Sequence, residues 1–92
     1  MLTQVFKIKN PYGLHARPSA SLSKAANQFQ SNITLAYRDH TVDAKSILGL
    51  MTLAAPCDSE ITLCVDGIDE KQAFQTLSDT INDLLMHAEG NP

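Results

Sequence analysis

The chain has 92 residues, 43% of them hydrophobic and 5% aromatic, with no Trp, seven basic and ten acidic residues, three His and two Cys. That length allows one domain, which buries somewhat over ~60% of its unfolded surface, and the patterned apolar content excludes a disordered chain. A formal net charge of −3 with scattered basic residues excludes nucleic acid as the main partner, and no apolar run is long enough to cross a bilayer.

In chain order, residues 2–9 read as a strand, with Leu2, Phe6 and Ile8 on one face by period two. No signal-peptide stretch precedes this alternation, so the expectation is a cytoplasmic protein. Asn10-Pro11-Tyr12-Gly13 supplies turn chemistry, Pro fixing one torsion and Gly permitting a positive one. From about Ala16 to Phe29 the period changes to that of a helix, with Leu22, Ala25, Ala26 and Phe29 on one stripe and Pro18 in the first turn.

Ile33, Leu35 and Tyr37 line a second strand, Arg38-Asp39-His40 a turn, and Thr41-Val42-Asp43 a short return strand. Ser46 is a credible N-cap for a short helix carrying Ile47, Leu48, Leu50, Met51 and Leu53, which Pro56-Cys57-Asp58-Ser59 ends. Leu50 and Leu53 are the residues expected to be buried. Ile61, Leu63 and Val65 form a fourth strand. Asp69 with Gln72 reads as a capping box for a last helix, which buries Ala73, Phe74, Leu77, Ile81, Leu84 and Leu85.

The order β-α-β-β-α-β-α predicts an α+β open-faced two-layer sandwich, a four-stranded antiparallel sheet with three helices on one face. It forms a single domain over 1–88, with 89–92 a frayed tail. Cys57 and Cys64 fit no metal spacing and read as free thiols in a reducing compartment, although their separation does not exclude a bridge. Cys64 alternates with Leu63 and Val65 and should face away from the helices. His40 and His87 read as solvated surface.

The segment that carries chemistry is Gly13-Leu14-His15-Ala16-Arg17-Pro18-Ser19-Ala20. It places His15 in a rigid turn at the mouth of a helix, whose first N–H groups have no internal partners and whose dipole favours an anion. Arg17 adds a positively charged planar fork suited to phosphate oxygens. A ring nitrogen of His15 can then act as nucleophile, and Ala16, Arg17 and Pro18 form the phosphate-binding turn. Phosphohistidine is labile, so such a site suits relay better than storage. The bland alternative, that His15 only caps the helix or packs on the turn, stands beside this one. A hydrolase using His15 would need a further acid, base or metal, and the sequence supplies none. No metal and no cofactor are expected.

This segment resembles the phosphohistidine signature of the HPr family, the phosphocarriers of the bacterial phosphoenolpyruvate:sugar phosphotransferase system. Ala44-Lys45-Ser46-Ile47-Leu48-Gly49-Leu50-Met51-Thr52-Leu53-Ala54 resembles the family's serine-site helix, and Gly67-Ile68-Asp69-Glu70 the start of its last helix. The resemblance implies that phospho-enzyme I donates to a ring nitrogen of His15 (Nδ1 in the family) and that an enzyme IIA domain accepts. It implies that Arg17 holds the phosphoryl oxygens, and that Ile47, Leu48 and Met51 dock partners within a rim of Ser21, Lys24 and Lys45. It further implies a monomer, with Ser46 either a plain N-cap or the target of an HPr kinase/phosphorylase. A regulatory module that docks through the same patch without turnover at His15 is the competing reading. Tyr12 stands where many relatives carry a small polar residue, and Asn27 where Lys is common.

Overall fold

Period-two alternation puts Phe6, Ile33, Leu35, Ile61, Leu63 and Val65 on one face of a four-stranded antiparallel sheet, where all six are buried. The computed structural model describes residues 1–86. Its elements are β1 (Leu2–Lys7), α1 (Ala16–Ala26), β2 (Asn32–Tyr37), β3 (His40–Asp43), α2 (Ile47–Leu53), β4 (Glu60–Asp66) and α3 (Glu70–Leu85). The strands lie in the order β1-β4-β2-β3. Phe6 opposes Ile61, Leu35 opposes Leu63, and Leu35 opposes Val42 on its other side. That register aligns a single apolar face.

Leu22 and Ala26 of α1, Leu50 and Leu53 of α2, and Ala73, Leu77, Ile81 and Leu85 of α3 complete the core. The other sheet face carries Thr3, Val5, Thr34, Ala36, Thr62 and Cys64 and is covered by none of the described helices. The architecture is therefore the expected open-faced sandwich. Cys64 lies on the uncovered face, and both cysteines are free thiols. The expected domain end at 88, the frayed tail 89–92 and the reading of His87 lie outside the described residues.

Three local expectations need correction. Helix α1 stops at Ala26, three residues before Phe29. The Asn27 amide donates from Nδ2 to Ser23 O at 2.8 Å and Lys45 O at 2.9 Å. Gln28 and Phe29 then bond three residues back, to Ala25 O and Ala26 O, tightening the chain out of the helix. His40 belongs to β3, paired with Tyr37, so the reversal is Arg38-Asp39 alone. Arg38 takes a positive φ of 55° there, and its guanidinium lies 5.4 Å over the Tyr37 ring.

The third correction concerns α3. Asp69 makes no cap bond to its own helix. Its carboxylate reaches across the fold and accepts from the N–H groups of Gln30 and Ser31, each at 2.9 Å, and from the Ser31 hydroxyl. Three donors from one segment outcompete the helix's own N–H groups. Glu70 takes over near the start, accepting from Gly67 N–H at 3.1 Å. The start signal was right and its bonding partner was not. Phe74 and Leu84 are only half-buried against the core.

This cross-fold bond has a pH signature. The Ser31 hydroxyl, then the Gln30 N–H, hold the Asp69 carboxyl below its ordinary value of 3.8. A lowered native value means the stabilisation is complete above 3.8 and is lost as pH falls below it through the native value. Asp69→Asn should lower the melting temperature at neutral pH, and the gap to the unaltered protein should close as acid protonates Asp69. A gap that stays constant through the acid range would separate Asp69 from the acid transition.

Candidate functional site

Helix α1 begins at Ala16, and His15 is its N-cap residue, in an extended conformation. The His15 carbonyl accepts the first helical bond, from Ser19 N–H at 3.0 Å, yet its side chain makes no capping bond. The bland capping role is therefore absent. His15 is half-buried, and among the described residues no hydrogen bond involves its ring. The Ala16 and Arg17 N–H groups likewise have no acceptor among the described residues. A half-exposed imidazole thus stands beside two open backbone donors and the exposed Arg17 side chain.

Pro18 serves differently from the phosphate contact expected of it. It has no N–H to offer and its ring is fully buried, so it shapes the first turn rather than touching an anion.

The turn before His15 is fixed from both sides. Asn10 is buried, donating from Nδ2 to Leu84 O at 3.1 Å and accepting at Oδ1 from Tyr12 N–H at 2.9 Å. The Lys9 and Asn10 N–H groups both reach Leu85 O. On the other side Leu14 N–H donates to Ala55 O at 2.8 Å. Gly13 has φ +65°, and a Cβ there would sit 2.5 Å from Ala55 O. Only glycine fits that conformation and that approach.

The short helix α2 lies antiparallel to α1. Its leading end is held by Ser23 Oγ and Asn27 Nδ2, both donating to Lys45 O, and its trailing end runs into the Ala55 contact beside the His15 turn. Ser46 caps α2, accepting from Gly49 N–H at 3.0 Å. Leu50 and Leu53 face the core, as expected, whereas Leu48 is 76% exposed, Ile47 44% and Met51 42%. Lys24 is exposed, and Ser21 and Lys45 are half-buried. An apolar surface of that kind is costly unless a partner covers it.

Four residues have structural roles that sequence reasoning did not assign to them. Asn10 opens an Asx-turn, a signal available from its place two residues before Tyr12. Ser23 and Asn27 lock α1 to α2 by side-chain bonds that no local pattern marks. Tyr12, 74% exposed, sets its ring edge-on to His15, with centroids 5.9 Å apart and planes at 81°.

An open-faced sandwich with a histidine at a helix mouth whose side chain makes no cap bond, and an exposed apolar patch on the neighbouring helix, is the frame of a small carrier protein. The family described as "PTS HPr component phosphorylation site" matches residues 2–83, and the chain belongs to the HPr family. It is 45% identical over 82 residues to the phosphocarrier protein HPr of Neisseria meningitidis serogroup A, covering 89% of this chain and 92% of that one. The structure is similar to that of a mycoplasma histidine-containing phosphocarrier protein, with a TM-score of 0.87, 38% identity and coverage of 89% and 93%. It also resembles a Thermoanaerobacter tengcongensis HPr dimer, with a TM-score of 0.71, 37% identity and coverage of 90% and 95%. HPr is a phosphocarrier of the phosphotransferase system and not an independent catalyst. No described helix is long and apolar enough to cross a membrane.

Proposed function

We propose that this chain accepts a phosphoryl group on His15 from phospho-enzyme I and passes it to an enzyme IIA domain in the cytoplasm, acting as a monomer. The observation that carries this reading is the uncapped, half-exposed His15 ring beside the open N–H groups of Ala16 and Arg17. A ring nitrogen lone pair attacks phosphorus. The P–N bond forms as the bond to the donor breaks, and the departing electron pair stays with the donor. The acceptor repeats the exchange. Arg17 and the two N–H groups offset charge on the phosphoryl oxygens, while the partner supplies orientation.

The test is intact mass after incubation with enzyme I and phosphoenolpyruvate, with an acid-treated aliquot. An acid-labile gain of one phosphoryl group supports the relay. No gain with an active donor would move the reading to a docking module that works without turnover.

Partners dock, in this reading, on Ile47, Leu48 and Met51, with Ser21, Lys24 and Lys45 at the rim. Leu48→Asp should raise KM for the donor about tenfold or more with kcat nearly kept, the cost of one buried anchor at an interface. An unchanged KM would place docking elsewhere. Ser46 is read as a cap, since its oxygen already accepts the Gly49 N–H. An HPr kinase/phosphorylase acting on it would have to place a phosphoryl group at that capping oxygen.

A further inference from the structure

We infer that Tyr12 is a positioning residue for His15, its ring holding the imidazole in one rotamer for phosphoryl transfer. The inference rests on the relay reading for its kinetic consequence but not for its structural content. The His15 ring has no hydrogen bond among the described residues, and its described aromatic contact is with Tyr12. The Tyr12 ring lies edge-on at 5.9 Å with planes at 81°. That geometry matches the favourable arrangement of aromatic quadrupoles.

The base of the Tyr12 side chain is itself fixed. Its N–H donates to Asn10 Oδ1 at 2.9 Å, and Asn10 is tied to Leu84 O. Gly13, the next residue, lies against Ala55 and Pro56. The tyrosine therefore leans on His15 from an anchored backbone, although the side chain is largely solvated. A large ring left that exposed, on a turn so constrained, has its main described aromatic contact with the imidazole. Restraint of a nucleophile acts on the transfer step, because transfer requires the ring nitrogen in line with phosphorus.

The experiment compares Tyr12→Phe and Tyr12→Ser with the unaltered protein. The unphosphorylated proteins are examined by NMR for ring-to-ring contacts and the His15 χ1 rotamer. Phosphoryl uptake from phospho-enzyme I is then split into kcat and KM. Tyr12→Phe should keep one dominant rotamer and a near-normal kcat. Tyr12→Ser should average the His15 rotamers and lower kcat about 3- to 10-fold with KM nearly unchanged, the equilibrium value of one aromatic edge contact. A single His15 rotamer persisting in Tyr12→Ser would overturn the inference. So would a loss confined to KM, which would make Tyr12 a docking contact, or an equal kcat loss in Tyr12→Phe, which would assign the effect to the hydroxyl. Failure of the unaltered protein to take up phosphoryl would sink the relay reading alone, and the NMR comparison would still decide whether Tyr12 restrains the ring.

Discussion

His15→Ala is expected to fold normally and to carry no phosphoryl group after incubation with enzyme I and phosphoenolpyruvate. The fold should survive because none of its described hydrogen bonds uses the imidazole. The two backbone bonds at this position, from His15 N–H to Gly13 O at 3.2 Å and from Ser19 N–H to His15 O at 3.0 Å, are available to alanine as well. The side chain contributes no cap, so the usual cost of losing a good N-cap residue, about 1 kcal/mol, does not apply. What remains is an edge contact with Tyr12, worth on the order of 1 kcal/mol. Circular dichroism and a thermal melt check the fold, and intact mass checks the phosphoryl group. Acid-labile phosphate retained by the variant would move the acceptor to another residue. An unfolded variant would show that the ring has a structural role which the hydrogen bonds do not reveal.

Gly13→Ala should be the most damaging single methyl added near the site. Two costs combine. A φ of +65° disfavours any L side chain by about 1–2 kcal/mol. The new Cβ would also lie 2.5 Å from Ala55 O and 2.9 Å from Pro56 Cα, both backbone atoms that cannot swing aside. Relief requires the turn to move away from the segment after α2, which lengthens the Leu14 N–H to Ala55 O bond. A total of about 3 kcal/mol lies in the tail of point-substitution effects. For a domain of this size it corresponds to a fall in melting temperature of more than about 10 °C. Phosphoryl uptake should drop in the molecules that remain folded, since His15 rides on the same turn. A variant as stable and as active as the parent would show that the turn accommodates a side chain by a shift which leaves the histidine in place.

Most of the architecture was legible because it depends on local periodicity. Ile33-Leu35-Tyr37 and Ile61-Leu63-Val65 alternate cleanly, and the stripe through Leu77, Ile81 and Leu85 has helical spacing, so element order followed from the apolar pattern alone. The division of α2 into core residues Leu50 and Leu53 and exposed residues Ile47, Leu48 and Met51 came instead from the resemblance to the family's serine-site helix, since all five are apolar and helical spacing alone groups Ile47 with Leu50 and Met51. The His15 turn was visible through Pro11, Gly13 and Pro18, residues whose backbone limits are intrinsic. Long-range choices were hidden. Asp69 looked like a cap because caps are local, and only the fold reveals that Gln30 and Ser31 approach it. Asn27 looked like one more residue of α1, and its attachment to Lys45 O exists only when α2 lies alongside. Tyr12 marked itself as unusual in the sequence, but its edge contact with His15 is a property of the folded turn.

The bonds from Asn10 and Lys9 to the carbonyls of Leu84 and Leu85 have a further consequence in time. The Asn10–Leu84 bond joins positions 74 residues apart, so the segment bearing His15 leaves the ribosome early and takes its shape late. A nascent chain still lacking the end of α3 has the histidine and the Ala55 side of its turn but not the Leu84 and Leu85 carbonyls that anchor the other side. Under the proposed relay, a chain cut before Leu84 should take up phosphoryl on His15 more slowly than the full chain.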